Sequence, residues 1–101
     1  MYMTTKLAPI HPGEILLEDF MKPLGLSANR LALELHVPAN RIQAIVRGER
    51  AITADTALRV ARYFGTSAEV WIGLQADYEL RKAKSELSKT IEREVRARVI
   101  A

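Results

Sequence analysis

Apolar residues recur along this chain at the spacing of one helix face, in five successive blocks separated by proline, glycine or small polar residues. The first block holds Leu16, Leu17, Phe20 and Met21. It opens at His11-Pro12-Gly13-Glu14, where Pro12 suits the first helical position and Glu14 complements the dipole, and it stops before Pro23. Leu31, Ala32 and Leu35 form the second, behind Ser27 as N-cap and with Leu26 and Leu31 placed as a hydrophobic staple. His36-Val37-Pro38 interrupts that helix, because the residue before a proline is pushed out of the α region and Pro38 suits a new helix start. The third block buries Ile42, Ile45 and Val46 and stops at Gly48. Thr53 caps the fourth, whose buried face is Ala57, Leu58, Val60, Ala61 and Phe64, and Gly65 ends it. Thr66-Ser67-Ala68-Glu69 has the form of a capping box and opens the fifth, with Val70, Trp71, Leu74 and Tyr78 on the core. No block alternates as a strand does, so the pattern predicts an all-α fold of five helices.

Beyond Tyr78 the pattern thins. Residues 79–101 contain neither Gly nor Pro, carry many charges, and space Leu80, Ala83, Leu87, Ile91, Val95 and Val99 as a sparse apolar row. This is an amphipathic helix too exposed for ordinary core, so its row needs another copy or a different protein; a frayed tail is the plainer alternative. Residues 1–10 show no periodicity and read as a flexible lead-in. The expected organisation is therefore 1–10 lead-in, 11–78 folded domain and 79–101 C-terminal helix or tail. Trp71, Leu74, Tyr78, Leu87, Ile91 and Val95 are the candidate dimer or partner contacts.

The third helix carries the candidate chemistry. With Ile42 and Ile45 turned inward, Ala39, Asn40, Gln43 and Arg47 fall on the opposite side. Two short helices at a tight turn, the second showing small and amide side chains among arginines, make a helix-turn-helix over residues 27–50. Asn and Gln can pair bidentately with adenine, and Arg with guanine or phosphate. Ala39, Asn40 and Gln43 are candidate base readers, and Arg41 and Arg47 are long enough to reach bases or phosphates. Ser27, Arg30, Arg50 and Thr53 are candidate phosphate contacts, through cationic side chains and helix N-terminal amides. Each alone also has an ordinary explanation as solvated surface.

Composition narrows the alternatives. A chain of 101 residues with 49 % hydrophobic content supports one core. Without cysteine there is neither a disulfide framework nor a thiolate metal site. No apolar run reaches membrane-spanning length and the N-terminus lacks a continuous apolar signal core, so the expected location is cytoplasmic. The net charge of +3 permits an anionic partner, and its excess lies in residues 27–50 and 78–101. His11 and His36 have no companions at metal spacing and read as structural. The Glu18-Asp19 pair and Glu92 with Glu94 read as solvated faces, and no phosphate loop is present. No constellation of acid, base and nucleophile survives, so we expect no enzyme, cofactor, metal or small-molecule substrate.

The order of these helices and caps resembles the Xre, or phage-repressor-like, helix-turn-helix family. HPGE at 11–14, VPANRI at 37–42, RGERAITADTALRVARYFGTS at 47–67 and EVWIGLQADYELR at 69–81 narrow the resemblance to HigA/VapI-type antitoxins. It implies a five-helix lambda-repressor-like DNA-binding domain with an extended C-terminal helix. It further implies a dimer that binds operator DNA in its own promoter and represses it, and that neutralises a HigB toxin, a RelE-like mRNA endonuclease. One departure is His36, where many such proteins place glycine; His tolerates left-handed backbone better than a β-branched residue does. Two alternatives stay open: a stand-alone Xre-type repressor without a toxin, and a protein-interaction adaptor with a vestigial helix-turn-helix.

Overall fold

A computed structural model describes residues 8–99. Helix α1 spans Pro12–Ile15, α2 Ala28–Leu35, α3 Ala39–Val46, α4 Ala54–Phe64 and α5 Ala68–Glu94, with no strand among the described residues. The core joins Leu16, Met21, Leu31, Ala32, Leu35, Ile42, Ile45, Ile52, Ala57, Val60, Ala61 and Trp71. It sits between the helix-turn-helix pair α2–α3, the face of α4, and the first turns of α5. Much of the lead-in, residues 1–7, lies outside the described residues, and Ala8, Pro9 and Ile10 have no regular structure.

The first block departs from its expected form. Regular α-helix covers only Pro12–Ile15; Leu16–Met21 is a π-helical turn, and Pro23 sits inside a short 3-10 turn at Lys22–Leu24 rather than beyond a helix end. Proline at 23 can neither donate a backbone hydrogen bond nor accommodate the carbonyl four residues earlier. The chain widens before it: Lys22 N–H donates to the Leu17 carbonyl, five residues back. In a widened turn residues five apart share a face, and Leu16 and Met21 are both fully buried.

Further differences are local. Ser27 caps α2 as expected, its Oγ accepting from Arg30 N–H at 3.0 Å. Thr53 occupies the N-cap of α4, but its side chain makes no capping bond. No capping box forms at Thr66–Glu69: Ser67 is the N-cap, its Oγ accepting from Val70 N–H, so Glu69 lies one residue too early to reach back. Thr66 Oγ1 instead accepts from Trp71 Nε1 at 2.8 Å. Leu58 and Val70, expected inside, are exposed, whereas Thr56 and Gln75 are buried. On α4 the inward face is Thr56, Ala57, Val60 and Ala61, and Leu58 falls on its flank.

The fifth block and the amphipathic row are one continuous helix of 27 residues, about 40 Å long. It ends at Glu94, so Val95 and Val99 lie beyond it. Gln75 ties its inner part to the α3–α4 connector, accepting from Ile52 N–H at 2.9 Å and donating to Glu79 at 2.8 Å.

Candidate nucleic-acid interface

The turn between α2 and α3 fixes the exposed face. His36 takes the left-handed conformation, φ 59° and ψ 47°, alone among the described non-glycine residues. Its N–H donates to the Leu33 carbonyl and Val37 N–H to the Ala32 carbonyl, closing α2. Arg59, from α4, reaches across and donates to the carbonyls of Leu35 at 2.9 Å and His36 at 3.5 Å. A non-glycine residue in this region costs on the order of 1–3 kcal/mol, and these bonds hold it there.

Helix α3 is anchored by Ile42 and Ile45, both fully buried. Its other end is set by α1. His11 Nδ1 accepts from Gly13 N–H at 2.8 Å, Pro12 takes the first helical position, and a Cβ on Gly13 would stand 1.8 Å from the Ile45 carbonyl oxygen. Only glycine lets α1 approach the last turn of α3 so closely. Burial of His11 lowers its pKa from 6.5, although the Arg50 backbone and the Glu79 charge pull the other way. Its ring packs edge-on against Tyr78, centroids 4.9 Å apart.

On the outward side of α3, Asn40 and Arg47 are exposed and Ala39 and Gln43 half-buried. Gln43 Nε2 donates to Asn29 Oδ1 at 2.8 Å, which fixes the amide against α2 and leaves its carbonyl oxygen to accept. Arg47 pairs with Glu49 at 3.1 Å, an exposed contact of the kind that yields readily to a competing anion. Arg30, itself exposed, pairs along α2 with the less exposed Glu34 at 2.9 Å, and Arg50 is exposed on the connector.

Arg41 does not join this row. Its guanidinium turns to the start of α4 and meets Asp55 at 2.6 Å, with its side chain only 23 % exposed. Arg59 reaches the same carboxylate at 3.1 Å, and the two hydrogen-bonding guanidinium groups hold the Asp55 pKa below its ordinary value.

The partner candidates divide. Trp71 is 1 % exposed, ringed by Phe20 and bonded to Thr66, so it is core and no docking surface. Leu74 is half-buried against the core, and Tyr78 faces His11. Leu87 and Ile91, 47 % and 49 % exposed, do lie open on the outer part of α5, and Val95 follows its end at 64 %.

The sequence reading missed Asn29, Asp55, Arg59, Gly13 and Gln75. Only Asp55–Arg59 left a local trace, an acid four residues before a base. Among the described residues no group of three His, Asp or Glu could hold a metal ion, and no helix is long and apolar enough to cross a membrane.

A capped helix, a left-handed turn and a second helix anchored on one side and polar on the other define a helix-turn-helix protein. The model of that family, described as helix-turn-helix, matches residues 17–71. Virulence-associated protein I of Dichelobacter nodosus is 53 % identical over 80 % of this chain and 75 % of its own. The structure is similar to Pseudomonas aeruginosa antitoxin HigA with higBA promoter, with a TM-score of 0.86 and 44 % identity, covering 90 % of this chain and 99 % of that one. It is equally similar to antitoxin GraA in complex with its operator, with a TM-score of 0.86 and 39 % identity over 94 % and 95 % of the two chains. The chain belongs to the helix-turn-helix family and, within it, to the HigA/VapI-type antitoxins of the Xre class.

Proposed function

We propose that this chain is a sequence-specific DNA-binding antitoxin that represses its own promoter as a homodimer and neutralises a RelE-like mRNA endonuclease toxin of the HigB type, acting in the cytoplasm. The observation that carries the DNA-binding part is the outward face of α3. Ala39, Asn40, Gln43 and Arg47 project from a helix whose opposite side is fixed by Ile42 and Ile45, with Gln43 already aligned by Asn29. A helix held so rigidly loses little freedom on entering a major groove. Arg30, Arg50 and the amides at the starts of α2 and α4, beside Ser27 and Thr53, flank it as backbone contacts. Solved relatives that carry promoter or operator DNA support the same assignment.

Dimerisation follows from information content. One recognition helix reads only a few base pairs, and a twofold pair presents two half-sites about 34 Å apart. The open row of Leu80, Leu87 and Ile91 on α5 is the surface that favours a second copy. Toxin binding rests on kinship with named antitoxins.

The test is binding of the purified chain to DNA upstream of its own gene against scrambled DNA of equal length, at two salt concentrations. Selective binding that persists at the higher salt is expected; equal and steeply salt-dependent binding to both would mean that only phosphates are felt. Co-expression with a short RelE-like reading frame beside the gene tests the second role: growth arrest by that frame alone, relieved by this chain, is expected.

A further inference from the structure

At the junction of α3 and α4 two guanidinium groups converge on one carboxylate. Asp55, the second residue of α4, receives Arg41 Nη1 on Oδ2 at 2.6 Å and Arg59 Nε on Oδ2 and Oδ1 at 3.1 and 3.2 Å. Arg59 extends from there to the Leu35 and His36 carbonyls. The cluster therefore links α3, α4 and the left-handed turn before α3, three parts of the chain brought together only by folding. Arg41 is committed to it: its Nε is buried without a partner, a cost that the Asp55 contact must offset. The Asp55 carboxylate itself stays half-exposed at the start of α4, two residues after its N-cap Thr53.

This arrangement has two consequences for a helix that reads DNA. First, it fixes the pitch of α3 against α4. Second, it occupies two cations, one on α3 itself, and leaves an anion at the start of α4, whose amides are among the backbone contacts proposed above. Guanidinium groups free to touch phosphate strengthen binding to every sequence alike, and so narrow the difference between operator and random DNA.

We propose that Asp55 is a positioning residue that sets sequence discrimination, by holding Arg41 and Arg59 away from phosphates while orienting α3. The proposal rests on the reading of α3 as the DNA face and deepens it.

The experiment compares the wild type, Asp55→Asn and Arg41→Met by titration against the chain's own upstream DNA and a scrambled duplex, from 50 to 200 mM salt. Asn keeps the shape and one acceptor but no charge. For Asp55→Asn the affinity ratio of operator to scrambled DNA should fall at least tenfold. Its log–log salt slope on scrambled DNA should steepen by about 0.9 for each guanidinium released, or about 3.5-fold more loss of affinity per cation across that salt range. Arg41→Met should weaken operator binding yet leave the slope on scrambled DNA unchanged, because Arg41 makes no phosphate contact in the wild type. A ratio and slope unaltered by Asp55→Asn overturn the role of Asp55 while leaving the DNA reading intact. A slope reduced by about 0.9 in Arg41→Met overturns it too, and decides alone if Asp55→Asn does not fold. A wild type without discrimination removes the DNA reading and this proposal together.

Discussion

The helix-turn-helix and the outer half of α5 are both rich in charge, yet the two are built in opposite ways. In the first, polar side chains are fastened across elements: Gln43 to Asn29, Arg41 to Asp55, and Arg59, itself paired along α4 with Asp55, to the Leu35 carbonyl at the turn. Apolar residues there are sealed beneath them, with Leu31, Ile42 and Ile45 fully buried. On the outer part of α5, among the described residues, the ion pair Arg81 with Asp77 runs along the helix itself, and Leu80, Leu87 and Ile91 are exposed. The first region has its groups positioned before any ligand arrives. The second has an apolar row left uncovered among the described residues, on about 24 Å of helix past Tyr78. Charge content alone would have assigned both to the same role; the partners of the charges separate the proposed reading face from the proposed docking face.

The contrast breaks most completely if the shared support is removed. Trp71 joins α5 to the core, and Trp71→Ala should destabilise the fold by about 3–5 kcal/mol in chemical denaturation, loosening both regions at once. Gly13→Ala should act on the reading region alone. Its new methyl would collide with the Ile45 carbonyl, pushing α1 from α3, and a loss of about 1–3 kcal/mol is expected together with weakened DNA binding. Unaltered stability in that variant would mean that the close approach of α1 to α3 is not needed.

Leu87→Ala with Ile91→Ala sharpens the comparison from the other side. Stability of the dilute monomer should change by less than about 0.5 kcal/mol, while self-association followed by sedimentation should weaken by tenfold or more. An unchanged association constant would take the dimer away from this row.

The smallest effect is a pH dependence at the foot of α3. His11 must be neutral at Nδ1 to accept from Gly13, and burial lowers its folded pKa below the ordinary 6.5. The unfolded chain then binds the proton more readily, so this contribution is complete above pH 6.5 and fades as pH falls through the folded value. His11→Asn, which caps without titrating, should flatten that part of the stability profile measured by thermal melts.

Much of this architecture was legible in local chemistry. Ser27, Gly48 and Gly65 mark helix limits because caps and left-handed stops act within a few residues, and His36 was readable as the strained turn for the same reason. The outward position of Asn40, Gln43 and Arg47 followed from helical spacing once Ile42 and Ile45 were known to face inward. What escaped depends on neighbours distant in sequence. Arg41 looked like another outward arginine until Asp55, fourteen residues on, drew it aside. Gly13 gave no sign that a carbonyl from α3 would press on it, and Gln75 none that it would receive the Ile52 amide. Trp71 was readable as core or interface alike, because its spacing serves both; only its enclosure by Phe20 and Thr66 decides. The π turn at Leu16–Met21 came from Pro23 acting backward on a pattern that otherwise fits a plain helix.

The central claim is that α3 reads bases, and the most direct test is the double substitution Asn40→Ala with Gln43→Ala, titrated against operator and scrambled DNA. Operator binding weaker by about 2–5 kcal/mol, with scrambled-DNA affinity, helical content and dimerisation unchanged, is the result this account predicts. Operator affinity equal to that of the wild type would contradict it and move the reading surface elsewhere.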